Sequence, residues 1–593
     1  MIDKMTRYGF ILLSGEEGPF LEKLQEIGLI DITRSVKPVD EKTQDLLSGA
    51  TRMGELESRI MKADIPEDTV PVPCEGPVLE TAVSVLKELD DTRAALALAG
   101  KDVADRIAWG DFDAEKLSAI GLAVHFHIVS PKAFKPEWAE SYALQEIARE
   151  KSRVLFVVIG DDTLPGEVPA PQASYLEAQE RKVELTGKIA YLEGRILGLR
   201  ERIGELREER GKALSELDLR LAGAAAVPEA ENTIVTLTGF APTSDDARVQ
   251  EALDKIGAFW FASKAIVEEN PPIKFKNNKF VRMFETLTDM YGRPAYDGFD
   301  PTPFISVFFL LFFAFCMGDA GYGLVLVIVG LALKKKLGEL SPLVVTLGLG
   351  TVVIGFLFHT FFSIDISKWA VFAPIQGVFL PAQIAGNDAT MVLSLVVGIL
   401  HICLAMVVKT INQTRTKGFF ASLGTWGWTL LIVGGVTVGA FALAGVLSLE
   451  ITKWVLIGLG AVSALGIFVF NDPKRNKFAN VGMGLWDTYN MITGLVGDVL
   501  SYIRLYALGL AGSMLGMAFN DMGVMILGDS PNIGKWLGFL FLVIFGHTLN
   551  IAMCALGAFV HPLRLNFLEF FKNSGYEGGA RIYDPLKNGK KTE

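Results

Sequence analysis

Hydrophobic positions follow two rhythms along the chain, and the change falls near residue 300. Before it, apolar residues alternate with Glu, Lys, Arg and Asp; after it, continuous stretches of Leu, Val, Phe and Gly dominate, which predicts a soluble half followed by a membrane half. In the first half Leu185, Ile189, Leu192, Ile196, Leu199, Ile203 and Leu206 recur at alternating steps of four and three with charge between them, the seam of a coiled coil. Such a helix needs a partner. The charged, Leu-containing stretch 40–106, interrupted by the Pro-rich segment from Pro66 to Pro77, supplies an antiparallel one. Strand and helix patterns bracket the pair: a strand, helix and strand over 5–33, then VHFHIVS (124–130), VLFVVIG (154–160) and TIVTLTGFAPTSDDARVQEALDKIG (233–257). The plan over 1–290 is therefore an α/β arm of two globular lobes joined by an antiparallel coiled coil. Strands at both ends favour a hairpin within one chain over a dimerising coil.

In the second half, apolar stretches run over 304–333, 342–363, 389–409, 424–447, 453–470, 486–520 and 536–571. The last two far exceed the roughly 20 residues that cross a bilayer, so those helices are tilted or extend beyond it. Basic clusters at Lys334–Lys336, at Lys409, Arg415 and Lys417, at Lys474, Arg475 and Lys477, and at Lys572 set the orientation. Splitting the first stretch at Gly318-Asp319-Ala320-Gly321-Tyr322-Gly323 gives about eight transmembrane helices and puts every basic loop inside. The split leaves two spans of about 15 residues, short for a roughly 30 Å core, which predicts a hairpin packed among other helices. The expected layout is a connector at 291–303, a transmembrane domain at 304–571 and a cytoplasmic tail at 572–593. The start, MIDKMTRYGFILL, has neither a long apolar core nor a small-residue cleavage site, so both termini are expected in the cytoplasm of a multi-pass inner-membrane protein.

Composition agrees with two unlike halves: of 593 residues 50% are hydrophobic, with mean hydropathy +0.35, yet 21% are charged. The net charge of −11 is spread through the soluble half and no basic patch stands out, so no nucleic-acid partner is expected. Cys74, Cys316, Cys403 and Cys554 are far apart, which fits reduced thiols and no metal site or disulfide framework. With no G-x-x-x-x-G-K-[ST] and no Gly-rich phosphate loop, the chain is not expected to hydrolyse nucleotide or hold a cofactor.

Arg504 lies in GDVLSYIRLYALGLAG, deep in an apolar stretch, where insertion costs about 2.5–3.5 kcal/mol. At helical spacing its face reads Asn490, Gly494, Gly497, Ser501, Arg504, Leu508, Ala511, small or polar around the charge. The last stretch repeats the device with His547, Asn550, Cys554, Gly557, His561 and Arg564. The bland alternatives are that each arginine pairs with a buried carboxylate such as Asp319 or Asp498, or snorkels to an interface. Asp319 reads equally as a helix cap or an ion ligand, His547 and Asn550 as interhelical glue or ion-path residues, and Glu569 as a helix-end cap or a path residue. His359 and His401 read as packed helix residues. Pro562 is expected to kink the last helix.

Four segments, YGRPAYDGFDPTP (291–303), GDAGYG (318–323), GDVLSYIRLYALGLA (497–511) and GHTLNIAMCALGAFVHPLRLNFLEFF (546–571), resemble subunit I, also called a, of vacuolar/archaeal-type ATPases. The resemblance implies a non-catalytic stator subunit that cups a proteolipid c-type ring, Arg504 facing each ring carboxylate in turn and displacing its H⁺ or Na⁺ between two half-channels. It implies that Arg564 supports Arg504, and that His547, Asn550, His561 and Glu569 line or support the access paths, with Ser501 and Asp319 as further candidates. It also implies that the soluble arm binds peripheral-stalk subunits of the E/G type and a central-rotor subunit of the d/C type. Two departures stand out. Eukaryotic relatives carry a glutamate where this chain has Cys554 and a histidine where it has Gly512, which suggests a prokaryotic enzyme. The rival readings are a secondary ion-coupled transporter, which predicts a repeat with paired broken helices that the sequence does not display, and a membrane-anchored scaffold. Neither the ion nor the direction of the machine is readable from the sequence.

Overall fold

A computed structural model describes residues 2–35, 37–110, 121–169, 175–368, 379–381, 383–384, 386–470, 477–528 and 532–587. The basic pair Lys474 and Arg475 lies outside the described residues. The chain forms two compact units, one of Met1–Tyr8, Gly239–Glu251 and Phe261–Asp584, the other of Gly9–Thr238, Ala252–Trp260 and Pro585–Glu593.

The elements of the first half run β1 (Met5–Leu13), α1 (Glu17–Ile27), β2 (Asp31–Ile32), α2 (Glu41–Lys62), α3 (Val78–Arg106), β3 (Val124–Val129), β4 (Leu144–Arg149), β5 (Val154–Ile159), β6 (Glu167–Val168), α4 (Tyr175–Glu201), α5 (Ile203–Ala224), β7 (Val227–Glu229), β8 (Ile234–Pro242) and β9 (Phe259–Lys264), with β4, β6, β7 and β9 beyond the strands that the sequence pattern predicts. Two sheets form, one in the order β2-β8-β1-β9 with β7 on β8, the other in the order β4-β5-β3-β6. The coiled coil is antiparallel but jointed, because α2 packs on α5 and α3 on α4. Met53, Leu56, Ile60, Val78, Val85, Leu89, Leu192, Ile196, Leu199 and Leu206 share its core, which takes in four of the seven seam residues. The heptad breaks at Arg202. There the Pro-rich crossover passes over α4 so closely that a Cβ on Gly198 would lie 2.1 Å from Val72 O, while the peptide N–H of Val72 donates to Gly194 O at 2.9 Å. Arg200 donates to Ile60 O and Arg202 to Cys74 O, so the break satisfies crossover carbonyls that helix ends would leave bare.

In the unit that holds most of the membrane half, the described helices are α6 (Thr302–Met317), α7 (Ala320–Ala332), α8 (Ser341–Leu357), α9 (Ala389–Lys417), α10 (Leu423–Leu443), α11 (Leu449–Ala464), α12 (Lys477–Ser501), α13 (Ile503–Leu527), α14 (Ile533–Arg564) and α15 (Phe571–Ser574). Among the described residues six helices, not eight, are long and apolar enough to cross a membrane: Lys334–Leu357, Ala389–Lys417, Phe420–Leu443, Leu449–Val469, Asn480–Leu527 and Ile533–Ser574. The expected split at Gly318 exists, Gly318 at φ 56 ending α6 and Asp319 capping α7. Its two halves have only 16 and 13 residues, and 13 residues at about 1.5 Å each fall short of a roughly 30 Å core. α6 is packed inside, with Phe309 and Phe312 fully buried, whereas α7 leaves Leu324, Ile328 and Leu331 exposed. Small residues let α7 lie against α8, where a Cβ on Gly355 would meet Ala320 N at 2.1 Å.

The segment after α14 does not trail away. β11 (Gly578–Ala580) pairs antiparallel with β10 (Arg293–Pro294), and the N–H of Ile273 donates to Arg581 O at 2.7 Å. Tyr576 OH donates to Gly292 O at 2.7 Å, so the connector is clamped by the end of the chain. Within the other unit, Leu586 is fully buried and its N–H donates to Ile30 O at 2.9 Å.

His127 of β3 is 0% exposed, stacked on Phe156 at 5.0 Å, and neither ring nitrogen has a hydrogen-bond partner of normal geometry. Burial holds its pKa below the ordinary 6.5; the Glu167 carboxylate and the carbonyls of Pro165 and Leu164 pull the other way and lose. The unfolded chain therefore takes up more protons as pH falls through about 6.5, so this sheet loses stability on acidification and regains it as pH rises. Hydrogen-exchange protection over 124–168, corrected for the intrinsic pH dependence of amide exchange, is expected to fall on going from about pH 7.5 to about pH 5.5, with His127→Phe removing most of the difference.

Candidate functional site

Arg504 stands on the first turn of α13, directly after a break in the 48-residue apolar helical run at Tyr502. A single helix was expected through this stretch. Instead Tyr502 N–H donates to Val499 O and Leu505 N–H to Tyr502 O, tight three-residue steps that separate α12 from α13. The guanidinium is partly buried, and its Nη1 is buried with no hydrogen-bond partner. Among the described residues no carboxylate lies within ion-pair distance of it. The two carboxylates that the sequence offered as partners, Asp498 and Asp319, are engaged elsewhere. Asp498 takes Lys572 Nζ at 3.1 Å and Asn573 Nδ2 at 2.7 Å. Asp319, 4% exposed, accepts from four backbone N–H groups, Gly321 at 2.8 Å, Tyr322 at 3.1 Å, Phe362 at 2.9 Å and Ser363 at 2.6 Å. Its geometry is that of a helix cap that also holds the turn after α8.

Polar side chains gather on two sides of Arg504. On one side Tyr322 OH meets His547 Nδ1 at 2.8 Å, His547 Nε2 meets Asn520 Oδ1 at 2.9 Å, and Asn520 Nδ2 donates to Phe362 O at 2.9 Å. Asn550 Nδ2 donates to Tyr322 OH and to Gly512 O, both at 2.8 Å, and Cys554 Sγ contacts Asn550 Oδ1 at 3.3 Å. His547 and Asn550 thus belong to one continuous buried network. Asn520 lies sixteen residues (520 minus 504) beyond Arg504 on α13, about 24 Å along a helix axis.

The other side holds Ser501, Glu569, Asp498, Lys572 and Asn573. Ser501 Oγ donates to Gly497 O at 3.0 Å, and Glu569, 4% exposed, keeps its Oε2 buried and unpartnered. His561 and Glu569 both lie close enough to feel the Arg504 charge. The backbone explains how Glu569 arrives there. Pro562, which has no N–H to give, sits inside α14, and the helix then widens into a π-turn over Leu565–Phe570. His561 Nδ1 is also buried without a partner, whereas Arg564 is exposed at the end of α14.

The sequence reading missed Tyr322, Ser363, Asn520 and Tyr502, and it left His401 as packing. Tyr322 stands inside GDAGYG and Tyr502 two residues before the arginine, but nothing in their spacing connects them to α14 or α9. His359 was expected in a helix. It sits in a turn after α8 with φ 50, its N–H donating to Phe356 O at 3.0 Å. The two departures from the eukaryotic pattern face each other: a Cβ on Gly512 would lie 2.6 Å from Cys554 Sγ, so the two changes occur at one contact.

If Asp319 is a cap, its loss is felt as stability. Asp319→Ala strands four buried N–H groups and should cost about 3 kcal/mol, whereas Asp319→Asn, which keeps one acceptor oxygen, should cost less. Thermal unfolding of the detergent-solubilised protein separates the two; equal melting temperatures for Asp319→Ala and the wild type would overturn the assignment.

Residues 225–342 match the V-type ATPase 116kDa subunit family. The chain is similar to the A-type ATP synthase subunit I of Methanocaldococcus jannaschii, 32% identical over 379 residues that cover 58% of this chain and 53% of that protein. It is also similar to that of Pyrococcus horikoshii, 31% identical over 59% of this chain and 53% of the other. The chain thus spans about half the length of these archaeal relatives. The V-type ATP synthase subunit I 1 of Treponema pallidum is 27% identical over 99% of this chain and 100% of its own length. A crystal structure of the cytoplasmic N-terminal domain of subunit I, homolog of subunit a, of V-ATPase covers 43% of the chain at 16% identity, with a TM-score of 0.21. With six helices among the described residues long and apolar enough to cross a membrane and a relative similar along its whole length, the chain is similar to subunit I of prokaryotic V-type/A-type ATPases.

Proposed function

We propose that this chain is the membrane stator of a rotary V/A-type ATPase or ATP synthase, and that it carries H⁺ or Na⁺ to and from the carboxylates of a proteolipid c-type ring through two half-channels. The observation that carries the reading is the state of Arg504: a permanent cation with a buried, uncommitted Nη1, while Asp498 and Asp319 are both held by other donors. A guanidinium so placed favours the ionised form of any carboxylate brought against it. The ring carboxylate would release its ion on arrival, move past, and reload from the opposite path. The same charge repels a free cation and blocks leak between the paths.

The network of Tyr322, Asn520, His547 and Asn550 lines one path on this reading, and Ser501, His561 and Glu569 line the other, with Arg564 at its edge. Asp319 supports the first path by holding the turn that carries Ser363. Residues 1–290 form the cytoplasmic arm, 291–303 the connector, 304–571 the ion-translocating domain and 572–593 the cytoplasmic end. The arm binds peripheral-stalk subunits of the E/G type and the central-rotor subunit of the d/C type, resisting torque. Nucleotide chemistry belongs to other subunits.

Arg504→Ala and Arg504→Lys should leave the complex assembled and ATP hydrolysis measurable while ion pumping falls by about 100-fold or more, as when a preorganised charge leaves an active site. Pumping by reconstituted vesicles of the purified complex checks this, and a near-normal rate in Arg504→Ala would sink the proposal. Lysine does not rescue because its ammonium lacks the planar, delocalised spread of the guanidinium.

A further inference from the structure

Two residues before Arg504, Tyr502 is 0% exposed and forms the break between α12 and α13. α9 holds it at two points one turn apart. Its ring lies on Gly398, where a Cβ would stand 2.3 Å from Tyr502 Cγ, and its hydroxyl meets His401 Nδ1 at 2.9 Å. His401 is also 0% exposed. Its ring is stacked between Phe308 of α6, at 4.2 Å and 30°, and Phe570, at 4.8 Å and 5°. Phe570 is the last residue of the π-turn and follows Glu569 directly.

One imidazole therefore touches both irregular pieces of backbone that set the arginine site. A break with three-residue hydrogen bonds is soft, and the direction in which Arg504 leaves α13 depends on its dihedrals. A π-turn is soft for the same reason. Apolar packing alone would leave each free to slide along its neighbours, since lipid-like side chains have no preferred azimuth. A hydrogen bond and a stacked plane do have one. Burying a ring with only one satisfied nitrogen is costly, and His401 Nε2 has no partner. An apolar residue would fill the space at less cost, so the polar contact to Tyr502 is what the histidine adds.

We propose that His401 is a positioning residue: by holding the Tyr502 hydroxyl and stacking on Phe570, it fixes the α12/α13 break against the π-turn and so sets the separation of Arg504 from Glu569. The inference rests on the role of Arg504 proposed above.

The experiment uses the intact complex in vesicles and reads ATP hydrolysis, ATP-driven uptake of H⁺ or Na⁺, and passive ion leak. Tyr502→Phe keeps the ring on Gly398 and removes only the hydroxyl; His401→Phe keeps the stack and removes the acceptor; His401→Gln offers an amide to the hydroxyl. Tyr502→Phe and His401→Phe should assemble and hydrolyse ATP, with ions moved per ATP falling at least about fivefold, as for a small misplacement of a reacting group. His401→Gln should recover most of the ratio. A normal ratio in either Tyr502→Phe or His401→Phe overturns the inference. So does failure of these variants to assemble, or an equal loss in His401→Gln, each of which would make the histidine packing only. Arg504→Ala is measured alongside: if it pumps, the proposed function itself fails, whereas an inactive Arg504→Ala with unaffected Tyr502→Phe and His401→Phe defeats this inference alone.

Discussion

A guanidinium that cannot lose its proton, set among apolar helices, is the constraint around which the membrane half is arranged. Its insertion cost, about 2.5–3.5 kcal/mol, is modest beside a domain's total hydrophobic burial but large beside its net stability. A neighbouring carboxylate in the same chain could have removed most of that cost. Asp498 is engaged by Lys572 and Asn573 and Asp319 by four peptide N–H groups, while Glu569 on the π-turn keeps an unpartnered Oε2 and makes no ion pair with Arg504. The charge thereby keeps no ion-pair partner among the described residues.

Backbone irregularity is concentrated at the same place. A regular helix satisfies its own peptide groups and presents side chains at fixed angles, which suits lipid but limits where a polar residue can point. The break at Tyr502, the π-turn over Leu565–Phe570 and the interruption at Gly318-Asp319 each depart from that regularity, and each is paid for locally. Asp319 receives the bare N–H groups of α7; Asn566 Nδ2 donates to Pro562 O at 2.8 Å; His401 and Gly398 hold Tyr502. The jointed stalk solves the same problem in water, with Arg200 and Arg202 serving the crossover carbonyls where its helices stop.

Similarity to subunit I of V-type/A-type ATPases fits this arrangement without determining every residue in it. Gly512 and Cys554 replace, at one contact, the two residues by which the chain departs from the eukaryotic pattern, so their joint absence leaves no half-pair behind. Tyr322 bridges His547 and Asn550 through a hydroxyl that both donates and accepts.

Hydrophobic periodicity by itself determined the pairing of the coiled-coil segments and the positions of the long apolar helical runs, because each depends on a local repeat of three and a half or none. The cost of burying charge likewise singled out Arg504 from the sequence. Tertiary structure decided the rest. Whether 302–332 spans the membrane depends on helix length after a left-handed Gly318, which hydropathy does not measure. Whether Asp319 is a cap or a ligand depends on amides that arrive from residues 362 and 363. Tyr322, Asn520, Tyr502 and His401 carry no local signal, since their side-chain hydrogen bonds join residues 27 to 228 positions apart, and only the packed helices bring them together.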